Sequence, residues 1–367
     1  MKTLLALGAV AAALFSPASP AADKADDASR SGLTVAVFGD WPYSNVLLDN
    51  SALLVDSVNA DRSVRAVIHV GDIHSGSMPC TSAGILPPIA TSNPGWNQAV
   101  FQVFQRFAAP LVYTPGDNEW TDCHKSKEKA AGDPLKELAA VRGLFFSRPG
   151  LTLGLDEMAV ASQAQAFDPA HPGDAAFVEN VMWEDSHVVF VTLNVPGSND
   201  DTLPWTGSFS NPAAQAAEVA AREAANARWL DAAFALARAR NAKAVVIAIQ
   251  ADMWDLSALE PGGDGLSAYT PFVRHIADAA VSFAKPVLLL NGDSHLFEAD
   301  RPLADPASAT GAVHATQAVP NLWRITVQGS TNAPAEWLRL TIDTSNRTAP
   351  FSWTNVPYCR DPSTSCQ

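Results

Sequence analysis

Four apolar runs in this chain stop on the same two residues: VAVFGD at Asp40, VIHVGD at Asp72, LVYTPGD at Asp117 and LLLNGD at Asp293. A fifth, VVIAIQAD, stops on Gln250 and Asp252. Glycine lets a backbone turn sharply as it leaves a strand, and the next residue then projects at the strand's carboxyl end, where open α/β folds place their sites. One Gly-Asp is ordinary turn chemistry. Four of them, each closing a strand-like run, predict exits that converge and carboxylates that share a small space. Carboxylates so packed raise one another's pKa or require a cation, and no Lys or Arg lies close in sequence to these turns. A bound metal answers that need. Asp with His suits Mn, Fe, Zn or Mg, and His295 stands two residues beyond Asp293.

The runs are rich in Val, Ile and Leu and mostly lack alternation, which predicts strands covered on both faces. They fall at Leu33–Phe38, Ala66–Val70, Pro110–Thr114, His187–Leu193, Ala244–Ile249, Pro286–Leu290, Leu322–Val327 and Trp337–Ile342. Helical periodicity marks Asn211–Arg240 as one long or broken helix, with Trp229, Leu230, Phe234 and Leu236 in period. Shorter helices are expected at Pro134–Phe146 and Pro271–Ala284, each opening on a proline. The last two strand candidates have no helix between them, which suggests an antiparallel edge. Glycine- and proline-rich stretches at Ser75–Trp96, Pro169–Asp174 and Pro196–Pro212 read as surface loops. No change of composition places a domain boundary within this α/β pattern.

The order and context of these motifs resemble the calcineurin-like metallophosphoesterases, which include the purple acid phosphatases. That family carries an Asp after its first strand, GD after its second, GNH[DE] after its third, then a His, and last GHxH. Here the corresponding segments are FGDW, VGDIH, PGDNEW, IQADMW and NGDSH, and ARWLDAAFALARARNAKAVVIAIQADMW is similar to the family's helix before the metal His. The resemblance spans roughly Leu33 to Glu298. It implies a four-layer α/β/β/α sandwich of two mixed sheets, with a metal site at the carboxyl ends of the strands. Asp40, Asp72 and His295 stand at ligand positions with the family's residue types, Asp72 where the bridging carboxylate belongs. Asp117 stands for a ligand Asn, Gln250 for a ligand His and Asp293 for the first His of GHxH. Asn118 replaces the family's catalytic His.

What the resemblance implies chemically is hydrolysis of a small phosphate mono- or diester by water bound to two divalent metal ions, Mn, Fe, Zn, Mg or Ca. Asp40, Asp72 and His295 would hold one ion; Asp72, Asp117 and Asp293, with Gln250 or Asp252, the other. The oxygen-rich set favours hard cations. Asn118 can orient phosphate but has no acidic proton to give; Glu119, His74 and His124 are the candidates for the acid. Trp41, Trp120 and Trp254 each follow a motif and form a candidate aromatic rim for substrate. His69 lies inside a strand and reads as core. His171, His187, His275 and His314 carry no ligand spacing. The alternative is a catalytically silent relative that keeps the fold as a binding module.

The remaining features concern location and partners. Lys2, the apolar run Leu4 to Phe15 and the small residues Ser19-Pro20-Ala21 read as a secretory signal over 1–21, too short to span a bilayer, with a retained anchor as the alternative. A polar linker over 22–31 precedes the domain, 32–345, and a tail, 346–367. Four cysteines pair by position, Cys80 with Cys123 and Cys359 with Cys366, which agrees with a secreted or periplasmic protein; free thiols are the alternative. A net charge of −14, with only the short run KSKEK after His124 on the basic side, argues against stable nucleic-acid binding. No protein partner is indicated, and no later segment is apolar and long enough to span a membrane. Asn346-Arg347-Thr348 fits a glycosylation acceptor, relevant only in a eukaryotic secretory host.

Overall fold

The computed structural model describes residues 32–80, 95–126 and 132–366. The signal and linker readings, most of the loop Ser75–Trp96 and part of KSKEK lie outside the described residues. Gly32–Gln367 forms one compact unit.

Two mixed sheets carry the chain. The first has the order β12-β11-β1-β2-β3, built from Leu33–Phe38 (β1), Val64–His69 (β2), Leu111–Tyr113 (β3), Ala335–Ile342 (β11) and Phe351–Cys359 (β12). The second has the order β4-β5-β6-β7-β8-β10-β9. Its strands are Ala161–Ser162 (β4), Val181–Asp185 (β5), Val188–Thr192 (β6), Ala244–Ala248 (β7), Val287–Asn291 (β8), Glu298–Asp300 (β9) and Leu322–Thr326 (β10). β1, β2 and β3 run parallel, as do β6, β7, β8 and β10, whereas β11, β12, β5 and β9 pair antiparallel.

Strand alternation divides the core into three layers. Between the sheets, Leu33, Val35 and Val37 meet Phe190, Val246, Leu288 and Leu290. On the far side of the first sheet, Ala36 and Phe38 pack with Leu54, Val58, Val100 and Phe104 from the helices Ser51–Ala60 and Trp96–Phe104. On the far side of the second, Val245, Ile247 and Leu289 pack with Trp229, Phe234, Ile276 and Ala280 from the helices Pro212–Ala239 and Thr270–Phe283. The result is an α/β/β/α sandwich. Each fully buried aliphatic side chain contributes about 1.5–3 kcal/mol, which is why strands buried on both faces lack alternation.

Two sequence expectations change. The last two strand candidates do not form an edge together: β10 lies beside β8 in the second sheet and β11 beside β1 in the first, so the chain crosses between sheets from Val327 to Pro334. Residues 351–359, read as tail, form the edge strand β12, paired with β11 over most of its length. Its Ser-Trp-Thr-Asn stretch faces outward too evenly to show as a strand in the sequence.

Candidate functional site

The five exits of β1, β2, β3, β7 and β8 meet where the carboxyl ends of the two sheets adjoin. Backbone hydrogen bonds continue beyond the strands and tie them together: Asp40 N–H to Gly71 O and Trp41 N–H to Asp72 O, both 2.9 Å, and Gly292 N–H to Gln250 O, 3.0 Å. The turns themselves differ from expectation. Asp40, Asp72 and Asp293 take the left-handed conformation, with φ of 48°, 61° and 75°. Aspartate tolerates that region better than most residues. Of the four preceding glycines only Gly71 has a positive φ. The others are needed for close approach: a Cβ on Gly39 would lie 2.6 Å from the Val70 side chain, and one on Gly116 2.7 Å from Asp72 N.

Asp40, Asp72, Asp117 and Asp293 are thereby brought together. Asp293 N–H donates to both Asp40 oxygens at 3.2 Å, and His295 Nε2 lies 3.2 Å from Asp40 Oδ1. A Cβ on Gly197 would sit 2.8 Å from Asp293 Oδ1 and 3.0 Å from Asp117 Oδ1, so these two acids face one gap. Burial pushes the Asp72 carboxyl well above the usual carboxylate range, and Asp117, Glu119, Asp40 and Asp293 push it further. Burial does the same to Asp293, with Asp117 next in weight.

Hydrogen-bond donors stand between these acids. The Tyr43 hydroxyl, absent from the sequence reading, contacts Asp40 Oδ1 at 3.2 Å and Asp72 Oδ2 at 2.8 Å. Asn118 Nδ2 donates to Asp72 Oδ2 and to the Tyr43 oxygen, each at 2.9 Å, and Asn118 N–H to Asp72 Oδ1 at 3.2 Å. Gln250 Nε2 lies 2.9 Å from Asp117 Oδ1 and 3.3 Å from Asp72 Oδ2. The orientation of this amide is set by Gly197, whose N–H can only donate and lies 2.5 Å from Gln250 Oε1. Gln250 therefore turns NH₂, not oxygen, toward the carboxylates.

Other expected members have other partners. Asp252 is paired with the buried Arg324 at 2.8 Å, gives its backbone N–H to Asp293 Oδ2 at 3.0 Å, and adds its charge to those that raise the Asp293 carboxyl. Arg324 reaches Asp252 from β10, too far along the chain for the motif to reveal. Glu119 is buried behind the site, where its Oε1 accepts from Tyr113 O–H (2.5 Å), Gly116 N–H (2.7 Å) and Asp72 N–H (3.2 Å). It organises two exits from behind. His74 is fully buried, bonded through Nδ1 to Ser75 O at 3.2 Å, and burial lowers its pKa to about 4. His124 Nδ1 accepts Thr206 N–H at 3.0 Å.

The aromatic rim is overturned. Trp41, Trp120 and Trp254 are all at most 2% exposed. Trp41 stacks on Phe104, the Arg222 guanidinium lies over Trp120, and Trp254 meets His314 edge-on. His69 is core, as expected, with Nε2 3.1 Å from Trp41 O. Both cysteine pairs are bridged, and the Cys80 and Cys123 sulfurs lie 3.5 and 3.7 Å from Asn118 O.

One feature of the site had no sequence signal beyond a loop assignment. Ser198, Asn199, Asp200 and Asp201 form a left-handed turn, with φ of 52–58°. Ser198 Oγ lies 3.1 Å from Asp117 Oδ2 and 2.7 Å from Asp122 Oδ1, and accepts from Lys125 Nζ at 2.8 Å. The buried Arg222 holds the turn through Asp200.

These residues do not fit a pair of shared metal ions as they stand. A bridging ion needs the carboxylate edges that the Tyr43 hydroxyl and the Gln250 NH₂ occupy. Among the described residues, no group of three or more His, Cys, Asp or Glu side chains is placed to hold a metal.

The fold and site together define a two-sheet α/β sandwich with an acidic cluster at the strand ends. No family model matches the chain, and no curated protein matches it. Among solved structures it is similar to GAP50, the anchor in the inner membrane complex of Plasmodium, with 10% identity and a TM-score of 0.44 over 91% of this chain and 90% of that one. It is also similar to a 5'-nucleotidase from Candida albicans, with 10% identity and a TM-score of 0.41 over 89% of this chain and 52% of that one. A third is the sulfate thiohydrolase SoxB of Thermus thermophilus, with 14% identity and a TM-score of 0.33 over 85% of this chain and 42% of that one. The chain thus spans about half the length of the nucleotidase and less of SoxB.

Proposed function

We propose that this chain is an exported binding module built on a metallophosphoesterase-like scaffold and silent toward phosphate esters. The observation that carries this reading is the Tyr43 hydroxyl between Asp40 and Asp72, matched by the Gln250 amide between Asp72 and Asp117. Without cations the cluster repels phosphate, so a ligand at this end of the sheets would be cationic or rich in hydrogen-bond donors. Export is supported by two disulfides, which persist in oxidising compartments; no described helix is long and apolar enough to cross a membrane.

A second reading, metal-dependent hydrolysis of small phosphate mono- or diesters, is favoured by one observation, the convergence of Asp40, Asp72, Asp117, Asp293 and His295. It requires Tyr43 and Gln250 to turn away from the acids. The test is elemental analysis of purified protein after incubation with Mn²⁺, beside hydrolysis of chromogenic phosphate mono- and diesters. The binding-module reading expects substoichiometric metal and no turnover. Bound Mn²⁺ with turnover that disappears in Asp72→Asn would overturn it.

A further inference from the structure

Away from the strand ends, the helices Pro212–Ala239 and Thr270–Phe283 border an open, shallow cleft of about 440 Å³ lined by Asp231, Phe234, Arg238, Arg274, His275 and Asp278, among others. That volume lies within the range of small-molecule sites. The lining is formally balanced in charge, but its hydrogen-bonding is not. Asp231 Oδ1 is taken by His275 Nε2 at 2.8 Å, and Asp278 Oδ1 accepts from Gln317 Nε2 at 2.9 Å. Arg274 spends its Nε on His314 O at 3.1 Å. Among the described residues, neither Arg274 nor Arg238 has a carboxylate partner.

Exposed arginines without a carboxylate occur elsewhere among the described residues, Arg106, Arg301, Arg347 and Arg360 included; what sets Arg238 and Arg274 apart is that both line one cleft. Arg142, Arg222, Arg228, Arg324 and Arg339 each hold a carboxylate within 3.0 Å. Two guanidinium groups left without one, on facing helices of the same cleft, present N–H forks suited to a carboxylate, sulfonate or phosphate oxygen. Pro271 and Ala279 supply accessible apolar surface beside them, above the buried Phe234 ring.

We propose that this cleft is a binding site for a small organic anion, its charged head held by Arg238 and Arg274 and its apolar body against Pro271 and Ala279. The site is separate from the acidic cluster and does not depend on what that cluster binds.

The probe is 8-anilinonaphthalene-1-sulfonate, an aromatic sulfonate whose fluorescence rises on binding. Titration of the full chain should saturate, and benzoate should compete where benzylamine does not. In the double variant Arg238→Ala/Arg274→Ala the Kd should rise about tenfold or more, given two lost charge-assisted contacts. A double variant of equal charge elsewhere, Arg347→Ala/Arg360→Ala, should leave it unchanged. All four arginines are exposed, so circular dichroism should show each variant folded. Equal weakening in both variants would reduce the effect to net charge and overturn the proposal. Fluorescence that never saturates, or that the Arg238/Arg274 variant leaves intact, would overturn it as well.

Discussion

Asp201 keeps its proton where most aspartates have lost theirs. Burial raises its carboxyl to about 8, against the lowering pull of Arg222. An unfolded Asp titrates near 3.9. Between those two values the folded state binds the extra proton, so stability is full below about pH 4 and falls as pH rises through the window to about 8. Asp201→Asn mimics the protonated form and keeps the oxygen that accepts Trp205 Nε1–H at 2.7 Å. Urea unfolding from pH 5 to 9 should therefore show a smaller decline in the variant, and parallel curves would rule out this assignment. A second change isolates the hydroxyl at the site. Tyr43→Phe removes a buried O–H from Asp40 and Asp72 and an acceptor from Asn118, and should cost about 1–3 kcal/mol by urea unfolding. A loss below a few tenths would mean the acids are already satisfied by something else. The acids of this site were legible because each closes an apolar run. Tyr43 was not, since nothing in DWPY marks a phenol that folds back onto its own aspartate and one from the next strand.

At the scale of elements, apolar runs and prolines placed the parallel strands and the three main helices to within about two residues, the usual latitude at element ends. The hairpin β5–β6 shows what escaped. Only its second strand was expected, because Val181-Met182-Trp183 is followed by Glu184 and Asp185, which break the apolar run although they pair across the ladder. The connection is Ser186-His187, both exposed, with φ of 51° and 64°. Two-residue hairpins with positive φ at both positions favour Asn-Gly, so the sequence carried no turn signal here. His187→Gly should relieve the left-handed strain and raise stability by about 0.5–1 kcal/mol. Its backbone carbonyl, which accepts Lys243 N–H at 2.7 Å, is retained. Thermal unfolding reads the change directly; a lower midpoint would show that the histidine side chain does more at the turn than its exposure suggests. The left-handed turn at 198–201 escaped for the same reason, being held by Arg222 from a helix more than twenty residues on.

The whole molecule closes on a strand that the sequence placed outside the domain. β12 covers the edge of β11, and its Phe351 and Cys359 reach into separate core layers. A chain ended at Ser345 keeps every residue of the candidate site yet leaves β11 an open edge, with its N–H and C=O groups free to pair with another copy. Loss of the tail disulfide alone is a milder change. Cys359 and Cys366 are only 7 residues apart, and the loop-entropy relation gives such a bridge about 2 kcal/mol. Cys359→Ser/Cys366→Ser should therefore elute like the parent chain, with a modestly lower urea midpoint. The chain ended at Ser345 should aggregate or lose its cooperative transition, as read by size-exclusion chromatography and near-ultraviolet circular dichroism. If the shortened chain instead elutes as the cysteine variant does and unfolds like it, β12 is an attachment to a sandwich already complete at Ile342. If it fails as expected, the fold extends to the last bridge, and the first sheet needs five strands because β11, arriving from the other sheet after the crossover, has no other partner on that side.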